Sequence, residues 1–154
     1  MSLRDDVNDY AAATEEFLDA VRVVTDENID RHLEEGWSAR QVIHHVADSE
    51  TQSYARLRRL LAEPPGSLIQ GYDEAAWAQC EALGYLELAT EHSLAVFVAV
   101  RRSSLDVLGR LGDADLERHA THSESGRYTL RDWLEIYRAH PRAHAQQLIE
   151  ATLA

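Results

Sequence analysis

The chain has 154 residues, the length of one ordinary domain with room for one hydrophobic core. Apolar residues make up 45% of it, and only seven glycines and three prolines occur, which favours helices over strands. With 15 Lys and Arg against 27 Asp and Glu, the net charge is −12, and such a chain should repel phosphate backbones. We therefore expect no nucleic-acid partner.

The sequence also shows no sign of membrane insertion or export. It contains no run of 18 apolar residues and no basic segment followed by an apolar leader, so we expect no membrane span and no signal peptide. The single cysteine, Cys80, cannot form an internal disulfide. A lone cysteine is consistent with a reducing compartment, and we expect a cytoplasmic protein.

The first half of the chain predicts two long helices. Helix one is predicted over about Leu3–Val24, with Ser2 as its N-cap and apolar residues at every third or fourth position. Residues 25–36 are acidic and weakly periodic, which predicts a turn or a short helix. Helix two is predicted to begin after Ser38, which forms a capping box with the glutamine three residues later. It should end near Ala62, because two prolines and a glycine follow.

The second half predicts two more long helices and two connections. A long connection over 67–84 contains a short helical piece around Asp73–Glu81. Helix three is predicted over about Leu86–Leu111 and helix four over Thr129–Ala154, with Thr129 as its N-cap and a polar loop between the two helices. Four long amphipathic helices predict an all-α fold, a four-helix bundle in a single domain over residues 1–154. The long connection between helices two and three leaves the order of the helices open.

The most informative feature is a pair of histidines, His140 and His144, in the apolar stripe of helix four. Residues at steps of three or four share one helix face, so both imidazoles should point where an aliphatic side chain is expected. An i, i+4 pair can direct two nitrogens at one point, as a metal ion requires. On spacing alone, a pair of hydrogen-bonded core histidines is the simpler interpretation.

Helix two offers a third imidazole for the same point. His45 shares a stripe with Val42 and Val46. His44 shares one with mostly polar residues and is predicted to lie at the surface or to support the ligands from behind. Three neutral histidines on a divalent ion leave a fourth position open, as catalytic sites do, and imidazole suits Zn²⁺ or Ni²⁺ better than Mg²⁺ or Ca²⁺. The remaining histidines are predicted to lie on the surface, in packing positions or in a loop: His32, His92, His119 and His122.

Pro141 interrupts the predicted helix four between its two histidines. It has no N–H, and its ring crowds the carbonyl of Tyr137. We therefore expect a kink or bulge at this point, with the freed carbonyl bonded to a water or a side chain.

Two carboxylates follow His45 in helix two. Asp48, three residues after His45, is the candidate general base, because a base must lie within reach of the water that a metal at His45 would bind. A solvated position on the helix flank explains Asp48 equally well. Glu50 is predicted to be a solvated carboxylate.

Four segments, taken in order, carry a family resemblance. They are Gly-Trp-Ser-Ala-Arg-Gln-Val-Ile-His-His-Val-Ala-Asp-Ser-Glu at 36–50, Gly-Tyr-Asp-Glu-Ala-Ala-Trp-Ala at 71–78, His-Ser-Glu-Ser-Gly-Arg-Tyr-Thr-Leu at 122–130 and His-Pro-Arg-Ala-His-Ala-Gln-Gln-Leu at 140–148. Together they resemble the DinB/YfiT-like superfamily of small metal-binding helical bundles, and its YfiT-type branch of metal-dependent hydrolases in particular. Each segment is weak alone, and four in register are specific.

The resemblance implies a function and a set of site residues. It implies that the metal is bound by His45, His140 and His144, the same three that the periodicity selects. It also implies a metal-dependent enzyme that acts as a hydrolase or as an S-transferase of a low-molecular-weight thiol. The candidate substrate-binding residues come from the second segment, and Trp77 is equally well explained as a packing anchor: Tyr72, Asp73 and Trp77.

A second class of function stays open at this stage. The YfiT-type branch carries an aromatic-His-Gly-Lys-His-His run in helix four, where this chain has Ala-His-Pro-Arg-Ala-His at 139–144. This change favours a non-catalytic metal- or ligand-binding bundle with a vestigial site. For the enzyme, we expect a small-molecule substrate and no membrane partner, with a homodimer as one option, since helical proteins of this size often pair through an exposed apolar face.

Overall fold

A computed structural model describes residues 2–154, and it confirms the all-α four-helix bundle. The bundle is formed by α1, α2, α4 and α5, with a short helix and a small sheet at the connections. In chain order the elements are α1 (Leu3–Val21), α2 (Ala39–Ala62), β1 (Leu68–Ile69), α3 (Glu74–Gln79), α4 (Glu91–Leu108), β2 (His119–His122), β3 (Gly126–Thr129) and α5 (Leu130–Thr152). Single 3₁₀ turns lie at Glu81–Leu83 and Asp113–Glu117.

Three of the long helices begin with the N-caps that the sequence predicts. Ser2, Ser38 and Thr129 each accept a hydrogen bond from the backbone N–H three residues later. The side chain at that position, for example Gln41 or Asp132, accepts one from the N-cap backbone in return. These reciprocal bonds satisfy N–H groups that a helix start leaves free, so a local sequence signal is enough to place these starts.

Other helix ends differ from the prediction. The predicted helix one, α1, ends at Val21 rather than Val24. The predicted helix three corresponds to α4 and occupies Glu91–Leu108 rather than 86–111. Gly84 has a positive φ of 65°, which ends the preceding 3₁₀ turn, and the chain then forms further turns up to residue 90. Leu86 is 72% exposed there, so an apolar residue that fits the helical periodicity lies outside the helix.

The connection before α5 is a β-hairpin rather than the predicted polar loop. Strand β2 pairs with β3 in antiparallel fashion, and Gly126, with a φ of 79°, lies where the turn ends. The two-residue strand β1, in the long connection after α2, pairs with β2 in parallel. Strands of two to four residues with mostly polar side chains carry too little alternation to be predicted from sequence.

In the bundle, α1 lies diagonally opposite α2, and α4 lies diagonally opposite α5. Helix α1 packs against α4 and α5, and α2 also packs against α4 and α5. The neighbours around the bundle are therefore α1, α5, α2 and α4 in turn. This arrangement brings α2, which carries His45, next to α5, which carries His140 and His144.

The interior consists of two apolar clusters with a polar layer between them. Side chains of the first cluster include Leu3, Tyr10, Leu57, Leu108, Trp133 and Leu134. Those of the second include Phe17, Val42, Ile43, Phe97 and Leu148. The buried polar side chains that lie between them along the helices include Thr14, Glu50 and Arg101. Glu50 is fully buried, so the prediction that it is a solvated carboxylate is wrong.

Arg101 of α4 bonds to all three of the other long helices. Its Nε lies 2.8 Å from Thr14 Oγ1, and its Nη2 lies 2.7 Å from the carbonyl oxygen of Tyr10, both on α1. Its Nη1 contacts Glu50 Oε1 on α2 at 3.1 Å and the carbonyl oxygen of Tyr137 on α5 at 2.7 Å. The guanidinium also lies 3.5 Å from the centre of the Tyr10 ring. Burial of a charge is costly unless it is paired and hydrogen-bonded, and here both conditions are met.

Candidate metal centre

Three imidazoles from two neighbouring helices converge on one point. The Nε2 atom of His45 lies 3.3 Å from that of His140 and 3.1 Å from that of His144. The Nε2 atoms of His140 and His144 are also 3.1 Å apart. The structure therefore brings together the three histidines that the sequence analysis selects. Within residues 2–154 no carboxylate or thiol joins this cluster.

This spacing fits a shared divalent ion. Metal–nitrogen bonds of about 2.0–2.1 Å in a tetrahedral site place two ligand nitrogens roughly 3.3–3.4 Å apart, close to the observed separations. Three lone pairs directed at one point repel one another unless protons or a cation lie between them. An ion bound by three neutral nitrogens would keep a fourth position for water or substrate.

The tautomer of His144 is fixed by its neighbour Gln147. The amide oxygen Oε1 of Gln147 lies 2.8 Å from Nδ1 of His144 and can only accept, so Nδ1 carries the proton. Nε2 of His144 then holds a lone pair, as a metal ligand must. The Nδ1 atoms of His45 and His140 are buried and have no hydrogen-bond partner in the described part of the chain. This lack of partners destabilises the metal-free site, and a bond at Nε2 would offset it.

Burial keeps the three imidazoles neutral. It lowers the pKa of His45 to about 4. Burial, and the repulsion that a proton on His140 would meet from Arg101 and from a protonated neighbouring histidine, lower the pKa of His140 to about 2. Burial also lowers the pKa of His144, and the hydrogen bond to Gln147 opposes that change. The ring of Trp37, 4.9 Å from the ring of His45, forms part of the apolar surroundings. Neutral imidazoles near pH 7 are the form that binds metal.

Pro141 does not bulge the helix that carries two of the ligands. Helix α5 is continuous from Leu130 to Thr152, so His140 and His144 meet by simple i, i+4 spacing. The bulge, one of the two expected distortions, is therefore wrong, and the kink stays a prediction. The freed carbonyl of Tyr137 does bond to a side chain, as predicted, and the donor is Arg101.

His44 is buried, which corrects its predicted surface position. Only 5% of it is exposed. Its Nδ1 lies 2.8 Å from Ser93 Oγ, and its Nε2 lies 3.1 Å from the carbonyl oxygen of Leu88. Both ring nitrogens therefore bond to α4 or to the turn that precedes it. His44 points away from the histidine cluster and attaches the 84–93 segment to α2.

Asp48, the predicted general base, bonds to a tyrosine that the sequence analysis does not single out. The hydroxyl of Tyr85 donates to Asp48 Oδ2 at 2.5 Å. Burial and the negative charge of Asp48 raise the pKa of Tyr85, so the tyrosine keeps its proton. Asp48, Tyr85 and His44 line a surface cavity of about 360 Å³, which none of the three clustered histidines lines. The catalytic role of Asp48 stays a prediction.

The three predicted substrate-binding residues lie together at the start of α3. The rings of Tyr72 and Trp77 meet edge to face, with centroids 4.8 Å apart. Asp73 is the N-cap of α3, and its Oδ1 accepts from the backbone N–H of Ala76 at 2.9 Å. The Tyr72 hydroxyl is buried and lies near Ser49, whose Oγ is 3.4 Å from Nε2 of His140. Tyr72 is therefore close to the histidine cluster, and substrate contact by these three residues stays a prediction.

The structure adds residues that sequence reasoning missed. Arg101 and Glu50 join the helices of the centre, and Tyr85 holds Asp48. Gln147 belongs to the last quoted segment, so its position three residues after His144 was a usable signal. No sequence signal indicates the roles of Arg101 and Tyr85, because their hydrogen-bond partners are distant in sequence.

Comparison with known proteins places the chain in a family. The sequence profile of the DinB superfamily matches residues 9–148. The chain belongs to the DinB superfamily. A solved structure described as "YfiT from Bacillus subtilis is a probable metal-dependent hydrolase with an unusual four-helix bundle topology" matches with a TM-score of 0.83 and 28% identity, over 98% of this chain and 86% of that one.

Curated relatives carry similar names. A protein of Oceanobacillus iheyensis named "putative metal-dependent hydrolase" is 37% identical over 109 residues, which are 71% of this chain and 61% of the relative. One of the same name from Bacillus mycoides is 34% identical over 113 residues, 73% of this chain and 63% of the relative. The chain thus spans less than two thirds of the length of these relatives.

The ligand set of this DinB superfamily protein can be tested by substitution. Replacing His45, His140 or His144 with Ala should weaken Zn²⁺ binding by orders of magnitude, measured by competition with a chromophoric chelator. His44→Ala should leave Zn²⁺ affinity within a few-fold and should instead lower the free energy of unfolding by about 1–3 kcal/mol, since buried polar partners lose their bonds. Equal loss of affinity in His44→Ala and His45→Ala would contradict the assignment of helix faces.

Gln147 provides a test of how the ligands are oriented. Gln147→Leu should reduce Zn²⁺ affinity roughly 10–100-fold, because it removes the acceptor that fixes the tautomer and ring orientation of His144. The matched control is Gln146→Leu, whose side chain bonds to Glu150 on the exposed side of α5. If both variants bind Zn²⁺ like the unmodified protein, Gln147 does not orient His144.

The buried histidines also predict a pH dependence of the metal-free protein. The pKa of His45 in the folded state, about 4, lies below the value of about 6.5 in an unfolded chain. Stability is then complete above pH 6.5 and falls as the pH drops from there towards 4, because the unfolded chain binds more protons. Urea unfolding after chelation, between pH 7 and 5, should show this slope. His45→Leu should reduce this slope without abolishing it, because the pKa values of His140 and His144 are also lowered, whereas replacing the exposed His92 should leave it unchanged.

Proposed function

We propose that this protein is a metal-dependent enzyme, a hydrolase of small molecules, that uses one divalent ion held by His45, His140 and His144. The observation that carries the proposal is the convergence of three neutral Nε2 atoms within 3.1–3.3 Å of one another. Membership of the DinB superfamily and the names of its relatives support it. The donor set favours Zn²⁺ or Ni²⁺, since imidazole suits borderline ions.

The chemistry that a divalent ion supplies at such a site is Lewis-acid activation of water and polarisation of a substrate oxygen. The chain's own groups would orient the ligands, keep them neutral and accept a proton. Gln147 keeps the proton of His144 on Nδ1, and burial keeps all three imidazoles neutral. Asp48 is the proposed general base. Tyr85 binds its Oδ2, which orients the carboxylate and leaves Oδ1 for a water.

The proposed substrate wall is the Tyr72–Trp77 aromatic pair. Its edge-to-face geometry suits the apolar part of a small molecule, while the buried Tyr72 hydroxyl provides a donor near His140. Asp73 would act indirectly, because its carboxylate caps α3 and so holds the segment in place.

A low-molecular-weight thiol is the proposed alternative co-substrate. Borderline ions on imidazole ligands also bind thiolates, and the thiolate is the nucleophilic form. The same centre could therefore direct a thiol to an electrophile instead of activating water. A non-catalytic bundle that only binds metal is the remaining alternative.

Metal analysis followed by a paired activity screen separates these possibilities. Protein purified without a histidine tag should contain about one equivalent of Zn²⁺ or Ni²⁺, which His140→Ala should lack. The loaded protein should then hydrolyse members of an ester and amide panel, or consume electrophiles when small thiols are added, and His140→Ala should do neither. Bound metal without either activity would favour the non-catalytic bundle, and failure to bind either metal would overturn the proposal.

Location and assembly belong to the same proposal. Within residues 2–154 no helix combines the length and the apolar character needed to cross a membrane. Cys80 is exposed and free, which suits a reducing environment. We propose a cytoplasmic protein that acts on small molecules, as a homodimer. Sedimentation of the purified protein would test the homodimer.

A further inference from the structure

Pro141 leaves one carbonyl of the ligand-bearing helix without its usual donor. In α5 the N–H of residue 141 would bond to the carbonyl of Tyr137, and proline has none. The Nη1 atom of Arg101 lies 2.7 Å from that carbonyl oxygen and donates to it instead. The bonded carbonyl is three residues before His140. A charged side chain from α4 therefore occupies the position of a missing backbone bond next to the metal centre.

The same nitrogen reaches the other ligand-bearing helix. Nη1 of Arg101 also contacts Glu50 Oε1, 3.1 Å away, and Glu50 lies five residues after His45 on α2. Arg101 and Glu50 are 1% and 0% exposed, so solvent does not compete for these bonds. A single atom thus links the backbone of α5, near His140, to a side chain of α2, near His45.

We propose that Arg101 is a positioning residue for the three-histidine centre. By replacing the backbone donor that Pro141 removes, and by holding Glu50 at the same time, it fixes α5 against α2 so that the imidazoles of the two helices meet. This inference rests on the proposed metal-binding function. Functional constellations tolerate errors of only about 0.5 Å, so a small shift between the two helices should be visible at the metal.

A purely structural role would have a different signature. Arg101 also bonds to α1, through Thr14 and the Tyr10 carbonyl, so its loss should lower stability whatever happens at the centre. Positioning must therefore be measured as metal affinity and ligand geometry in variants that remain folded. Co²⁺ is a suitable probe, because its visible absorption reports coordination geometry independently of any activity.

The main variant removes both charges together. Glu50→Met/Arg101→Met keeps the side-chain volumes similar and leaves no unpaired charge, a change that buried ion pairs often tolerate. We expect a folded protein, by circular dichroism and thermal unfolding, with Co²⁺ affinity at least tenfold lower and a changed visible spectrum. Adding Pro141→Ala restores an N–H for the Tyr137 carbonyl but no link between α5 and α2, so it should recover only part of the lost affinity.

Two further variants keep the proposal testable. Arg101→Lys retains the charge opposite Glu50, but its compact ammonium cannot reach all four acceptors of the guanidinium, so it should also bind Co²⁺ more weakly. Arg101→Lys provides the test of positioning if the double variant does not fold. The matched control is Asp6→Leu/Arg138→Met, which removes a largely buried ion pair between α1 and α5 close to Tyr137 and should leave Co²⁺ affinity within twofold.

The outcomes are distinct. Folded variants of Arg101 with unchanged Co²⁺ affinity and spectrum would overturn the positioning role while leaving the metal centre intact. Full recovery with Pro141→Ala would also contradict it, since that change restores the bond within α5 and not the link between α5 and α2. If the unmodified protein binds neither Co²⁺ nor Zn²⁺, the proposed function itself fails.

Discussion

The arrangement of the four long helices depends on the hydrogen bonds of the Arg101 guanidinium. The guanidinium is a cation buried at the level where the two apolar clusters meet, and its acceptors lie on α1, α2 and α5. Apolar contacts are non-directional, so two helices can slide past each other at small cost. A buried charge allows no such freedom, because every lost acceptor exposes an unsatisfied donor in a low-dielectric interior. We infer that this polar layer fixes the position of each helix along its axis relative to the others.

The histidine cluster depends on the same constraint. Three desolvated imidazoles destabilise the metal-free protein at the contact between α2 and α5, and the Nδ1 atoms of two of them have no partner among residues 2–154. The protein tolerates this because the two helices are held nearby by Glu50, Arg101 and the Tyr137 carbonyl. Pro141, which would weaken an ordinary helix interior by about 3 kcal/mol, has its lost bond replaced by that network. The destabilised histidine cluster therefore lies next to the hydrogen bonds that hold its two helices together.

What could be predicted from the sequence is what local chemistry determines. The caps at Ser38 and Thr129 involve residues three positions apart, and the convergence of His140 and His144 follows from one helix turn. What could not be predicted depends on distant partners. His44 occupies a polar stripe and is buried only because the turns before α4 cover it, and Glu50 is buried because Arg101, 51 residues away, pairs with it. Periodicity within one helix contains no record of such pairings.

Charge balance at the centre limits what it can hold. The three imidazoles are neutral, and Glu50 and Arg101 compensate each other. Within residues 2–154, therefore, no charge in direct contact with the cluster would neutralise a divalent cation. The net charge of −12 is spread over the whole chain, and solvent ions screen such charges beyond about 8–10 Å. An incoming group must then provide the balancing charge. This favours an anionic or easily polarised donor, such as a thiolate, a carboxylate or the oxygen of a substrate carbonyl, over a neutral apolar ligand.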